Sequence, residues 1–519
     1  MMQDRQLLKW PLVQQLYTRA PTVVNSSTSL SGALPIYDSR LINAYGEVIP
    51  GTKGEYQVFK RPGIGGEVLS GYGMPGGSYT YPLPASSGAV LNLYVTNGVL
   101  YAGETAVSGF SATPGAPCYF EIINSNPITV IILVAGGSGG AGLAGSGFLY
   151  TPSTNACVPI NDATFTSIVR VPGLAFLDGW TFVMDQSGVI WNTNAQSNAA
   201  VWNALNTIPA NLYGDSGVYL ARQLSYVVAM KQWTTQIFYD AGAQVEGEGS
   251  PLGLVPDATV PYGCMHPFTV AKIDETLIWV TTNQDLCPQV IVLENLTPTI
   301  VSSPSVERIL KNFQAVTGPI EVGGFGSYST GVYSWGIKIA GHRLYGLTIF
   351  ALDITLVFDI DQKLWYIWTD PEGGYWPYGY PSYRSPNYVD GVAGAQFVQH
   401  LVTGGIYTLD DMYTFPTDNG EIFNVDIYTP TTSFGTLRNK SLNNMYFDSD
   451  IIKGNQMFAR YTDDDYNSWS NFRTIRLDYE RPELDDEGSF IRRAYHFRHA
   501  AACPFRLSSA GLDLDIGIL

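Results

Sequence analysis

Three groupings in this chain hold side chains of the kinds that move protons, bind metals or cradle phosphates, and each stops short of a reaction. Asp359 with Asp361, and the run Asp463-Asp-Asp465, supply the paired carboxylates that general acid and base work requires. Both sit in turn-like stretches, where a solvated loop is the simpler reading. The five histidines, His266, His342, His400, His496 and His499, show no HExxH spacing. His496 and His499 lie three apart, but Arg492, Arg493 and Arg498 around them would repel a cation. The Gly-rich run 135–147 lacks the GxxxxGK spacing of a phosphate loop. The expectation is a protein that is not an enzyme, with no catalytic residue, metal or cofactor.

The nearest approach to a known site is Ala459 to Ser470, which approximates the Asp-box hairpin of sialidase-type propellers. Asp463, Asp465 and Trp469 would be its structural members, with Asn467 taking the positive φ that the missing Gly normally supplies. Such a box braces a hairpin and cleaves nothing. A glycan-cleaving or glycan-binding propeller, or a host-surface binding module, is the alternative function, favoured by this hairpin alone.

Composition describes the elements that must carry these residues. The 519 residues are 45% hydrophobic and 13% aromatic but only 14% charged, which favours strands over solvent-facing helices. A formal charge of −17 argues against gripping DNA through its phosphates, which needs clustered Lys and Arg. It does not exclude a surface that DNA slides past. Cys118, Cys157, Cys264, Cys287 and Cys503 are scattered and odd in number, so synthesis in a reducing compartment is expected. The most apolar run, Ile128 to Val134, is of strand length, and no signal-peptide pattern opens the chain, so synthesis in the cytoplasm as a soluble protein is expected.

Hairpin signals recur from about residue 88. Asn97-Gly98, Asp178-Gly179, Gln186-Ser-Gly188, Asp274-Glu275 and Gly404-Gly405 each separate two strand-like runs. Ser334 to Trp368 alternates apolar strands and turns at the spacing of a propeller blade. The pattern predicts an all-β chain built on a β-propeller of about six blades with long inserted loops, although a two-sheet sandwich would satisfy the same alternation. Residues 1–70 read as a strap with the first propeller strands, 71–430 as the propeller body with inserted loops or a small β-rich domain, and 431–519 as a C-terminal β segment closing the propeller. Helices are expected at Asn194 to Leu205 and at Ser305 to Phe313, the latter with Val306, Ile309, Leu310 and Phe313 on one face.

Two stretches are candidates for protein contact. Pro371 to Tyr383 brings Tyr375, Trp376, Tyr378, Tyr380 and Tyr383 into one excursion, unless these aromatics fold back as a lid. Near the C-terminus the acidic run Asp478 to Glu487 precedes a basic strand with Arg492, Arg493 and Arg498, a pairing that fits either a subunit interface or one chain.

The chain resembles the tail hub or nozzle proteins of podovirus-like short-tailed phages, the packaged-DNA stabilisation proteins or tail accessory factors. The resemblance lies in Ser39-Arg-Leu-Ile-Asn-Ala-Tyr45, with Arg40, Asn43 and Tyr45, and in Phe59-Lys-Arg-Pro-Gly-Ile64. It continues through Trp233 to Gly242, Gly263 to Trp279, Ser305 to Arg308, Asp353 to Trp368 and Arg460 to Ser470. It implies a propeller joined to a smaller β-rich domain, assembled as a homo-oligomer, a hexameric ring under the portal-adaptor protein. The implied role is to extend the DNA channel, retain packaged double-stranded DNA and dock fibre, spike or needle proteins in the virion tail, with no catalytic residues.

Overall fold

The computed structural model describes residues 8–17, 38–49, 52, 55–71, 73–82, 90–125, 127–135, 146–193, 200–210, 212–242, 248–256, 258–282, 288–317, 331–383 and 396–517. Six free-standing four-stranded antiparallel sheets are arranged as a β-propeller. Five of them follow the chain, at 75–106, 118–159, 175–209, 217–254 and 271–300. The sixth combines Tyr378–Tyr383, Gln396–His400 and Ile406–Asp410 with the N-terminal strand Gly63–Leu69. Between the 271–300 and 378–410 sheets lies a four-stranded meander, Val332 to Trp368, whose last strand continues outward into a nine-stranded sheet.

Strand periodicity explains why the blades read as nearly unbroken apolar runs. In Ile128–Val134, Val130 and Ile132 pack against Leu93 and Val95 of the preceding blade. The intervening Ile131 and Leu133 pack against Val183 and Trp202 of the next. Val227 and Ala229 likewise face one neighbour, and Val228 and Met230 the other. Each blade is thus buried on both faces, as radial stacking requires. The turns behave as their residues predict, with φ of 50° at Asn97 and 77° at Gly98.

The smaller β-rich domain is a two-sheet sandwich drawn from both ends of the chain. One sheet orders Ala44–Val48, Tyr56–Lys60, Arg506–Ile516, Lys440–Ser449 and Glu483–Asp485. The other runs from the propeller meander through Arg40–Ile42 to Val425–Tyr428, Ala494–His499, Gln456–Thr462 and Arg473–Arg476. The expectation that 431–519 closes the propeller is therefore corrected. Arg506–Ile516 lies along Lys440–Ser449 and Tyr56–Lys60, and ring closure falls to Gly63–Leu69.

The expected helix at 305–313 is present as Pro304–Thr317, with Pro at its first turn and Val306, Ile309 and Leu310 buried against the 271–300 blade and the meander. The second expected helix is corrected over its C-terminal part. Trp202–Pro209 is the fourth strand of its blade, paired through Val189 and Pro209, while 194–199 fall outside the described residues. Trp202 and Asn206 are buried and Ala204 and Leu205 exposed, because a ladder partner was available to override a modest helix preference.

Candidate functional site at the propeller–sandwich junction

A buried polar constellation joins the two domains. Arg61 follows Tyr56–Lys60 and is fully buried. Its Nε donates to Asn43 Oδ1 at 2.9 Å, and its Nη1 to the Pro62 carbonyl at 2.8 Å and to Asp418 Oδ1 at 3.0 Å. Nη2 donates to the Thr369 carbonyl at 2.9 Å and to Asp418 Oδ2. All five guanidinium N–H groups are thereby used, and the Phe423 ring lies 3.7 Å from the guanidinium carbon. A cation so saturated has no donor left for a substrate carboxylate or phosphate, so its chemistry is that of a clamp.

Asn43 completes the clamp. It adopts a φ of 54°, which Asn tolerates, and its backbone N–H donates to the Ile367 carbonyl at the end of the propeller meander. Its side chain accepts from Thr369 N–H and donates to Thr369 Oγ1, both at 2.8 Å, and donates to the Asn424 carbonyl at 2.9 Å. Beside it Lys60 donates to the Ala501 and Cys503 carbonyls. Burial, with Arg61 adjacent, pulls its ammonium down to about 8.

The aromatic excursion packs into the same junction. Trp376 is 0% exposed, with ring centroids 5.0 Å from Trp335 and 5.3 Å from Trp368. Gly346 admits this cluster, since a Cβ there would fall 1.9 Å from the Trp335 ring. Tyr378 is also buried, whereas Tyr375 and Tyr380 are half-buried, against Phe350 and Tyr333. The contact reading is thus corrected for Trp376 and Tyr378, whose large apolar areas are consumed within one chain. The Tyr383 side chain lies outside the described residues.

The other predicted residues divide between strap and sandwich. Arg40 donates to the Asp38 carbonyl and lies over the Tyr428 ring at 3.7 Å. Tyr45 stacks on Phe59 and meets His342 edge-on. Arg493, 1% exposed, is held by Asp463 at 2.7 and 2.8 Å and by the Glu487 carbonyl at 2.6 Å, which corrects its assignment to a contact surface. Arg498 and His496 share the Asp426 carboxylate. Burial would push that carboxyl up, but these two bonds hold it below the usual range. Arg492, exposed, pairs with Asp465, and Arg473 with Asp485 and Glu487. The arginines of the basic strand are thus paired within the chain by Asp463, Asp465 and Asp426, and the acidic run by Arg473 and Arg476.

In the Asp-box-like hairpin the turn carboxylate is Asp464, which accepts from Ser468 N–H, Ser468 Oγ and Thr462 Oγ1 and is drawn down to about 2. Asp463 and Asp465 point instead to Arg493 and Arg492. The positive φ values fall on Asp465 and Tyr466 and not on Asn467, whose side chain donates to the Asp464 carbonyl. Trp469 packs against Tyr428 and His496. A fuller version stands at Asp185 in the propeller, outside the sites expected from sequence, where Oδ1 takes Ser187 and Val189 N–H and Oδ2 takes Trp191 Nε1, each at 2.9 Å. The signal was Asp185-Gln-Ser-Gly-Val-Ile-Trp191, an Asp before a turn with Trp behind it. Among the described residues no group of three or more His, Cys, Asp or Glu is placed to hold a metal ion. Among them, too, no helix is long and apolar enough to cross a membrane.

Comparison with known proteins gives a family match over part of the chain. Residues 143–318 fit the family described as Bacteriophage P22 Gp10, beta-propeller. No curated protein matches the chain in sequence. Solved structures similar in outline include the N-terminal domain of Nup159 (9% identity, 72% of this chain and 99% of that one, TM-score 0.38). BBS1N, crystallised with ARL6DN, aligns at 10% identity over 72% of this chain and 97% of its own, TM-score 0.35. BamB from Moraxella catarrhalis aligns at 11% identity over 79% and 95%, TM-score 0.32. At these scores the three carry no argument. The match over 143–318 and the propeller that contains it together support the reading of this chain as a phage tail-stabilisation, structural β-propeller protein.

Proposed function

We propose that the chain forms the nozzle or hub ring of a short phage tail, as a homo-oligomer below the portal-adaptor. There it extends the DNA channel, retains the packaged genome and docks distal tail parts. The observation that carries this reading is the family match on a propeller whose junction side chains are already committed to one another. The net charge of −17 supports a conduit, since a wall that attracted many phosphates would slow transit. Exposed Arg492, paired with Asp465 where solvent reaches both, is the candidate contact residue that a neighbouring subunit could engage at least cost. Particles assembled without this chain should package DNA and then lose it, measured as nuclease-sensitive genome after head filling. Full retention in such particles would contradict the role.

A further inference from the structure

We propose that His342 is a pH-set latch between the two domains, its imidazole bridging a propeller carboxylate and a sandwich carboxylate, so that loss of the Nε2 proton loosens the strand Ala44–Val48 from the propeller. His342 opens the strand His342–Ile349 of the meander and is buried. Its Nδ1 lies 2.6 Å from Asp359 Oδ2, on the adjacent propeller strand, and its Nε2 3.0 Å from Glu47 Oε1, on the sandwich strand. Only the doubly protonated ring donates to both.

The two carboxylates are unequal, and that decides which bond breaks. Asp359 is 0% exposed and its Oδ1 already accepts from Asp361 and Gln362 N–H, so losing the Nδ1 donor would leave its Oδ2 without a partner where water cannot replace it. Glu47 is 31% exposed and water can take the place of the imidazole. The neutral ring therefore keeps Nδ1–H, and the bond lost is the one that spans the domains.

The groups that act on the ring are Asp359 and Glu47, with Asp361 near it on the meander and Tyr45 edge-on; beyond these, Asp411 and Tyr413 act on Tyr45, Tyr56 acts on the meander's Tyr366, and Arg343 follows His342 in the strand. Arg343 is engaged by Asp361 and Glu294. Burial pushes the imidazolium down, but the bonds and charges of Asp359 and Glu47 outweigh it and leave His342 above its ordinary value of about 6.5. Such a shift stabilises the folded junction fully below the unfolded value, and the stabilisation fades as pH rises through the folded one.

The test is amide hydrogen exchange of the 44–48 segment in the full chain at pH 6 and pH 8, corrected for intrinsic exchange, in wild type and in Glu47→Gln. Protection should fall with pH by about threefold more in the wild type than in the variant, the scale of a half-exposed ion pair. Lys60, which titrates in both chains, cancels in this comparison. Equal pH dependence in the two would overturn the latch. Should Glu47→Gln fail to fold, the imidazole nitrogen shifts of His342 in the unaltered chain, assigned against His342→Gln, decide instead. A doubly protonated ring at pH 6 that loses only the Nε2 proton as pH rises supports the latch, and a ring already neutral at pH 6 overturns it.

Discussion

The Arg61–Asp418 pair in the knot and the Arg492–Asp465 pair at the hairpin 462–470 set the same residue types against each other, yet they play different parts because one is dry and the other wet. Arg61 and Asp418 are 0% and 3% exposed, whereas Arg492 and Asp465 are 52% and 31% exposed. In the knot a lost partner strands a charge where no water can replace it. At the Arg492–Asp465 pair solvent takes over. The buried set therefore fixes how propeller and sandwich meet, and the exposed one leaves Arg492 available to neighbours.

The largest effect should come from Asp418→Ala, which leaves the Arg61 guanidinium buried without its carboxylate. Unfolding free energy from denaturant titration should drop by about 3–5 kcal/mol. Arg61→Met with Asp418→Leu should cost less than the single change, since no charge is then stranded. A double variant as unstable as the sum of its parts would break the contrast between dry and wet.

The part of this contrast legible in the sequence was local. Alternating apolar residues and the turns Asn97-Gly98 and Asp178-Gly179 revealed the blades, because strand period and positive φ are short-range properties. The helix at 304–317 was legible for the same reason. Nothing local links Arg61 to Asp418, 357 residues away, or Arg506–Ile516 to Tyr56–Lys60. Ladder hydrogen bonds are made by backbone, so alternation shows that a strand exists and not which edge it joins. Trp376 read as a contact residue because an aromatic, Pro-rich stretch looks the same whether its rings meet a partner or fold inward onto Trp335 and Trp368. Asn43 and Arg61 both lay in the N-terminal motifs, but their mutual bond was set by the fold.

An intermediate effect is expected at Asp185, whose carboxylate braces a blade hairpin while partly open to solvent. Asp185→Ala should cost about 1–3 kcal/mol by thermal or denaturant unfolding, because Trp191 Nε1 and two backbone N–H groups lose their acceptor. A loss as large as that at Asp418 would show that partial exposure confers no relief. The smallest effect belongs to Arg492→Ala, within about 0.5 kcal/mol for the isolated chain. If Arg492 serves a subunit contact, the same variant should instead weaken assembly, read as a lower fraction of oligomer by native mass measurement.

The most direct test of the structural role is a density map of the intact virion tail. The account predicts copies of this propeller and sandwich in a ring between the portal-adaptor and the distal tail parts, with the sandwich fastened to the propeller meander through the Arg61 knot. A tail map with no copy of the chain in that ring would contradict it.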